Sequence, residues 1–286
     1  MHEPRDCDEQ PIAYRTAGDG ELVVLLHGLG GSRISWEPQL RGLAAHWRLA
    51  AWDMPGYGRS APLPVDAVRF PHLAEAAAGW IRHLGGSATA QAHVVGISMG
   101  GMIAQYLAAL HPQAVRSLTL LSTSPAFGLD GTKPDEWRAA RLAPLDAGMQ
   151  PADFSERVLR GIAGPHISPA VFAEQQAAMA RIDADALRCS IDCLVTHDSR
   201  DLLAQIVAPT CCLVGALDDE TPPAYSQYLA DHIPGARLEI VAGGGHLMLL
   251  ERAAETGPLI RAFLDAPPGK AANEAAGAGE ISRDRR

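Results

Sequence analysis

Residues 92–101 read Ala-His-Val-Val-Gly-Ile-Ser-Met-Gly-Gly (AHVVGISMGG). The first six form an apolar run of strand length, and Met99 to His111 carries helical periodicity. Between them Gly96-Ile97-Ser98-Met99-Gly100 is a G-x-S-x-G pentapeptide in strand–turn–helix context. Such a tight turn strains the serine backbone and crowds the positions two residues to either side, which glycine relieves. It lifts the Ser98 oxygen above the carboxyl edge of a sheet, beside amides at the positive N-terminus of a helix. Ser98 is the candidate nucleophile. A plain βα turn is the alternative, because the pentapeptide also arises by chance.

Outward from Ser98 the chain alternates. Glu21–Leu26, Arg48–Asp53, Ala92–Ile97, Ser117–Leu121, Cys211–Gly215 and Arg237–Val241 read as strands. Their near-continuous apolar character suits strands covered on both faces, as in a parallel sheet. Trp36–His46, Pro71–Leu84, Met99–His111, Pro223–Ile233 and Leu247–Leu264 carry helical periodicity. The alternation implies right-handed crossovers and a doubly wound α/β sheet. Ile12–Thr16 is a candidate antiparallel edge strand.

One interval breaks the pattern. From about 125 to 205 there are only helical pieces, punctuated by Pro134, Pro144, Pro151, Pro165 and Pro169. Such a length far exceeds an αβ loop and implies an inserted helical subdomain. Most of its apolar residues, among them Phe127, Trp137, Leu142, Met149, Phe154, Phe172 and Met179, are expected to pack together, with a minority facing a ligand. The core is then split into 11–124 and 206–266 around the insertion at 125–205. The stretch 267–286 lacks apolar periodicity and reads as a disordered tail.

A serine hydroxyl needs a base to take its proton. Of 11 histidines, His246 stands out in Gly243-Gly244-Gly245-His246, just after the last expected strand, where the glycines let the loop reach back over the carboxyl edge. His27 and His93 read as structural residues, and His197 in the insertion is a weaker competitor. The base in turn needs an acceptor that holds its tautomer. Asp218 follows the penultimate strand in Gly215-Ala216-Leu217-Asp218, with Asp219 and Glu220 as adjacent rivals. The loop His27-Gly28-Leu29-Gly30-Gly31 matches neither G-x-G-x-x-G nor G-x-x-x-x-G-K. It reads instead as an oxyanion loop, with Leu29 N–H and Met99 N–H as the two donors.

Composition excludes several classes. Lys+Arg 24 against Asp+Glu 33 leaves a net charge of −9, which argues against a nucleic-acid partner. No apolar run reaches the roughly 18–20 residues that span a bilayer, and the polar start Met1–Asp8 does not read as a signal peptide. The five cysteines (Cys7, Cys189, Cys193, Cys211 and Cys212) form no zinc-site spacing and read as reduced structural thiols of a cytoplasmic protein. Monomer and homodimer both stay open.

Five stretches in order, HGLGGS at 27–32, DMPGYGRS at 53–60, GISMGG at 96–101, GALDDETPP at 215–223 and GGGHLMLLE at 243–251, resemble the α/β-hydrolase superfamily over almost the whole chain. The resemblance implies a mostly parallel central sheet, a helical cap inserted between strands 6 and 7, and the triad Ser98, His246 and Asp218. Residues 98–125 and 208–223 are similar to small esterases and 3-oxoadipate enol-lactonase-like sequences, although that lactonase group often lacks the His27-Gly28 pair. The expected function is hydrolysis of small, largely apolar carboxylic esters, with no metal or organic cofactor. The alternatives are an enol-lactone or carbon–carbon bond hydrolase and, from another class, a non-catalytic small-ligand receptor. Trp36, Phe127, Trp137 and Leu247 are candidate substrate-lining residues, and each also reads as ordinary core.

Overall fold

The computed structural model describes residues 3–8 and 11–266. The chain runs β1 (Arg5–Cys7), β2 (Tyr14–Ala17), β3 (Glu21–Leu26), α1 (Glu37–Leu43), β4 (Trp47–Trp52), α2 (Phe70–Gly85), β5 (Ala92–Ile97), α3 (Met99–Leu110) and β6 (Val115–Leu121). Four helices follow, α4 (Pro134–Asp146), α5 (Pro151–Ile162), α6 (Pro169–Met179) and α7 (Ala184–Leu194). The chain then closes with β7 (Thr210–Gly215), α8 (Pro223–His232), β8 (Arg237–Val241), α9 (Met248–Glu251) and α10 (Ala253–Leu264).

The eight strands form one sheet in the order β1-β2-β4-β3-β5-β6-β7-β8. β1 and β2 pair antiparallel and the other neighbours are parallel, apart from the antiparallel β2–β4 contact. Side chains alternate between the faces of a strand, and here each face has its own apolar layer. Leu22, Val24 and Leu26 of β3 join Val94, Leu118, Leu120 and helices α2 and α3 on one side. Val23 and Leu25 join Val95, Leu121, Leu213, α1 and α10 on the other. Burial on both faces explains the unbroken apolar runs.

The mostly parallel α/β sheet with a helical insertion between strands 6 and 7 is as expected, and three local readings need correction. The polar N-terminal stretch supplies an edge strand, β1, which apolar patterning could not reveal. The helix expected over Trp36–His46 starts as a 3-10 turn at Arg33–Trp36 and ends at Leu43. The long helix expected over Leu247–Leu264 breaks at Arg252. The segment 267–286, expected to be disordered, lies outside the described residues.

In the insertion, Pro134, Pro151 and Pro169 each open a helix, where the missing N–H costs nothing. Pro144 lies inside α4. α4 packs on α7 and α5 on α6, and a bridge between Ala126 and Asp198 ties the ends of the segment together. Leu142, Leu145, Phe154, Met179, Leu187 and Ile191 belong to the same apolar cluster as one face of the sheet. The insertion is thus continuous with the core, whereas self-contained packing was expected. Met149 is 36% exposed. Among the described residues no helix is long and apolar enough to cross a membrane.

Candidate active site

Ser98 follows β5 and caps the N-terminus of α3 with φ 53° and ψ −123°. A positive φ is costly for a side-chain-bearing residue and persists only where its surroundings hold it. They do so here: Ser98 N–H donates to the carbonyls of Leu121 and Ser122 (3.0 and 3.1 Å), and the Ser98 carbonyl accepts from Thr123 Oγ1 (2.7 Å). The flanking glycines are sterically required. A Cβ on Gly96 would strike the Gly100 carbonyl, and one on Gly100 would strike the Leu26 carbonyl.

His246 lies in the loop after β8, and its Nδ1 stands 3.0 Å from Asp218 Oδ1 and 3.1 Å from Oδ2. The Asp218 carboxylate follows β7, is 2% exposed, and also accepts from Glu220 N, Thr221 N and Thr221 Oγ1. That turn aims Asp218 inward and leaves Asp219 and Glu220 exposed. Nδ1–H donating to a carboxylate leaves Nε2 as the basic nitrogen. Burial disfavours the imidazolium, but the Asp218 charge and hydrogen bond outweigh it and hold His246 above the ordinary imidazole range. Burial likewise pushes the Asp218 carboxyl up. The His246 charge and the surrounding donors overcome this and hold it below the usual range.

Two cavities meet at this point. The inner one, about 70 Å³, is lined by Leu29, Val158, Leu159, Ile162, Met179, Leu247 and Leu250 with Gly28, Gly30 and Gln175. The outer one, about 270 Å³, is lined by Phe127, Asp130, Trp137, Arg141, Asp219, Glu220 and Tyr225. Among the described residues only Ser98 and His246 line both. Ser98 is half-buried, and among the described residues its hydroxyl is in no hydrogen bond.

Leu29 lines the inner cavity and Met99 is the first residue of α3. Neither amide is taken by a hydrogen bond among the described residues. His27, completely buried, holds the Leu29 loop: its Nδ1 lies 2.9 Å from the Gly28 carbonyl and its Nε2 accepts from Met54 N (3.0 Å). Phe127 and Trp137 line the outer cavity and Leu247 the inner. Trp36 lines neither. It is fully buried in the layer that packs α1 and α10 on the sheet, because its place in the 3-10 turn directs it into the core. His197 is also buried. Its Nε2 meets the Ser124 carbonyl at 2.8 Å, and desolvation pushes its pKa down to about 4. Thr221 and Gln175, with the α5 residues of the inner wall, had no signal in the sequence beyond their neighbourhoods. Among the described residues no group of three or more His, Cys, Asp or Glu could hold a metal ion.

A family described as alpha/beta hydrolase fold matches residues 21–187 through its sequence model. The pimeloyl-(acyl-carrier protein) methyl ester esterase of Neisseria meningitidis serogroup B is 30% identical over 273 residues, covering 93% of this chain and 98% of that protein. A hydrolase from Pseudomonas aeruginosa PA01 superposes with a TM-score of 0.80 at 26% identity, over 92% of this chain and 98% of its own. The enol-lactonase from Burkholderia xenovorans LB400 gives 0.77 at 23% identity, over 92% of this chain and 100% of its own. This last is a likeness of fold alone.

Proposed function

The chain belongs to the alpha/beta-hydrolase fold family, and on that premise we propose a serine hydrolase that cleaves carboxylic esters of small, largely apolar substrates through an acyl-enzyme. One observation carries this reading: among the described residues, Ser98 and His246 alone line both cavities. An ester with one arm in each cavity has its scissile carbonyl beside them.

In this mechanism Nε2 of His246 takes the Ser98 proton as the oxygen attacks the carbonyl carbon. Asp218 keeps the other ring proton on Nδ1 and stabilises the imidazolium. The Leu29 and Met99 amides donate to the oxyanion, a contribution of about 10²–10³-fold per donor. The imidazolium then protonates the leaving alcohol as the carbon–oxygen bond breaks, and a water activated by His246 releases the acid. Residues 125–205 act as the cap, and Leu247, Phe127 and Trp137 touch the two arms of the substrate. The activity of the Neisseria relative on a methyl ester supports an ester with one small side. Lactones share the same carbonyl chemistry. The five free thiols support a reducing, cytoplasmic setting.

The test is p-nitrophenyl acetate hydrolysis by pure wild-type protein and Ser98→Ala. Turnover in the wild type, lost in the variant, is expected. Undiminished turnover in the variant overturns the assignment, and stoichiometric binding without turnover favours a receptor.

A further inference from the structure

Among the described residues that line the inner cavity, only Ser35, Ser98, Gln175 and His246 have side chains carrying nitrogen or oxygen. Gln175 has no part in the mechanism above. It stands on α6, is 6% exposed, and reaches across to the 3-10 turn Arg33–Trp36 that follows the glycine-rich loop, where Ser35 Oγ donates to its Oε1 at 2.8 Å. Ser35 Oγ also accepts from Ser32 N at 3.3 Å.

This pair fixes the orientation of the amide. A hydroxyl has one proton, and the amide oxygen is the acceptor that Ser35 finds for it. The reversed amide would aim a second donor at Ser35 Oγ and strand the hydroxyl proton. Nε2 of Gln175 therefore faces away from Ser35, and it is buried without a partner among the described residues. An amide N–H taken out of water without an acceptor is penalised. The rest of this wall is Val158, Leu159, Ile162 and Met179, which offers none.

We infer that the inner arm takes a short substrate group carrying a hydrogen-bond acceptor, an ether, keto or hydroxyl oxygen, and that Gln175 Nε2 is the donor that selects it. The cavity is small, about 70 Å³ against about 270 Å³ for the outer one, so the group is short. A donor left unpaired by an all-carbon group makes the site discriminate by rejection, which is stronger than discrimination by a methylene. The inference rests on the proposed ester hydrolysis, because it places one side of the ester in this arm.

The experiment uses two isosteric pairs. p-Nitrophenyl methoxyacetate against p-nitrophenyl butyrate varies the acyl side, and 2-methoxyethyl acetate against butyl acetate varies the alcohol side. Alkaline hydrolysis of the same four esters supplies the intrinsic reactivity ratios. The wild type is expected to exceed the alkaline ratio in favour of the oxygen-bearing ester in one pair, by roughly 3- to 10-fold in kcat/KM. Gln175→Met, or Gln175→Leu if the first does not melt cooperatively, is expected to return that ratio to the alkaline one. The wild-type comparison needs no variant. Ratios equal to the alkaline values in both pairs, or a preference that survives in a folded variant, overturn the role of Gln175 and leave the esterase reading intact. No turnover of any of the four overturns the esterase reading, and this one with it.

Discussion

The inner and outer arms of the cleft share Ser98 and His246 and differ in almost everything else. The inner arm is walled by α5, α6 and the His246 loop with buried side chains such as Leu159, Met179 and Leu250. The outer arm is nearly four times larger by volume and ends among exposed Asp130, Asp219 and Glu220. Buried walls are close-packed and resist repacking, so they fix the size of what they accept. Solvated walls yield. On the proposed mechanism the small arm is therefore the one expected to select, and the large arm to tolerate variety.

Breaking what the arms share has the largest effect. Ser98→Ala is expected to lower kcat by about 10⁴-fold or more on every ester, whichever arm that ester exploits, measured by steady-state hydrolysis. Asp218→Asn follows, at roughly 10³–10⁴-fold, because the amide stabilises the wrong tautomer of His246. The pH profile adds a signature. The proposed mechanism needs neutral His246, so activity is expected to be lost as pH falls through its pKa, and wild-type kcat/KM to fall off at a pH above the ordinary imidazole range. In Asp218→Asn the imidazolium loses its counter-charge, and that limb moves to lower pH.

Sharpening the difference between the arms has an intermediate effect. Leu159 is 4% exposed and lines the inner arm. Leu159→Trp is expected to cut kcat/KM for the longer ester by roughly 10- to 100-fold in one of two series, p-nitrophenyl butyrate against acetate for the acyl side or butyl against methyl acetate for the alcohol side, the range for misfitting one or two methylenes in an apolar pocket. A variant that melts cooperatively and keeps the wild-type chain-length preference removes the inner arm as a size filter.

These arms were legible to different degrees. Strand–turn–helix order around Ser98 and the loops carrying Asp218 and His246 have local causes, in apolar runs and glycines, so the sequence displays them. The ranking of Asp218 over Asp219 and Glu220 rested on position alone. Its physical cause is the turn that Thr221 closes with three bonds between residues 220–221 and one carboxylate. The inner wall is a different case. Val158, Leu159 and Met179 line one cavity with Leu29 only because α5 and α6 fold back over the sheet edge, and no periodicity encodes that placement across more than 120 residues. Trp36 illustrates the reverse error. A large aromatic residue near a glycine-rich loop reads as a ligand contact, yet the 3-10 turn buries it completely. β1 is an edge strand with mostly exposed side chains and so has no apolar signature.

The smallest effect is expected in the outer arm. Arg141 lies over the Trp137 ring, 5.0 Å from its centroid, and Trp137 packs edge-on against Phe127. All three are half-buried, so water competes with whatever they hold, and a cation–π contact at such a site contributes about 0.5–1 kcal/mol. Arg141→Ala releases the Trp137 ring from this contact, so at most that energy is lost from outer-arm binding, and KM is expected to rise by no more than roughly 2- to 5-fold for esters with a bulky outer group. It removes a contact made alike in ground and transition state, so kcat should move little. A loss of kcat as large as that of Asp218→Asn would mean that Arg141 reaches the reacting atoms, and the outer arm would then select as strictly as the inner one.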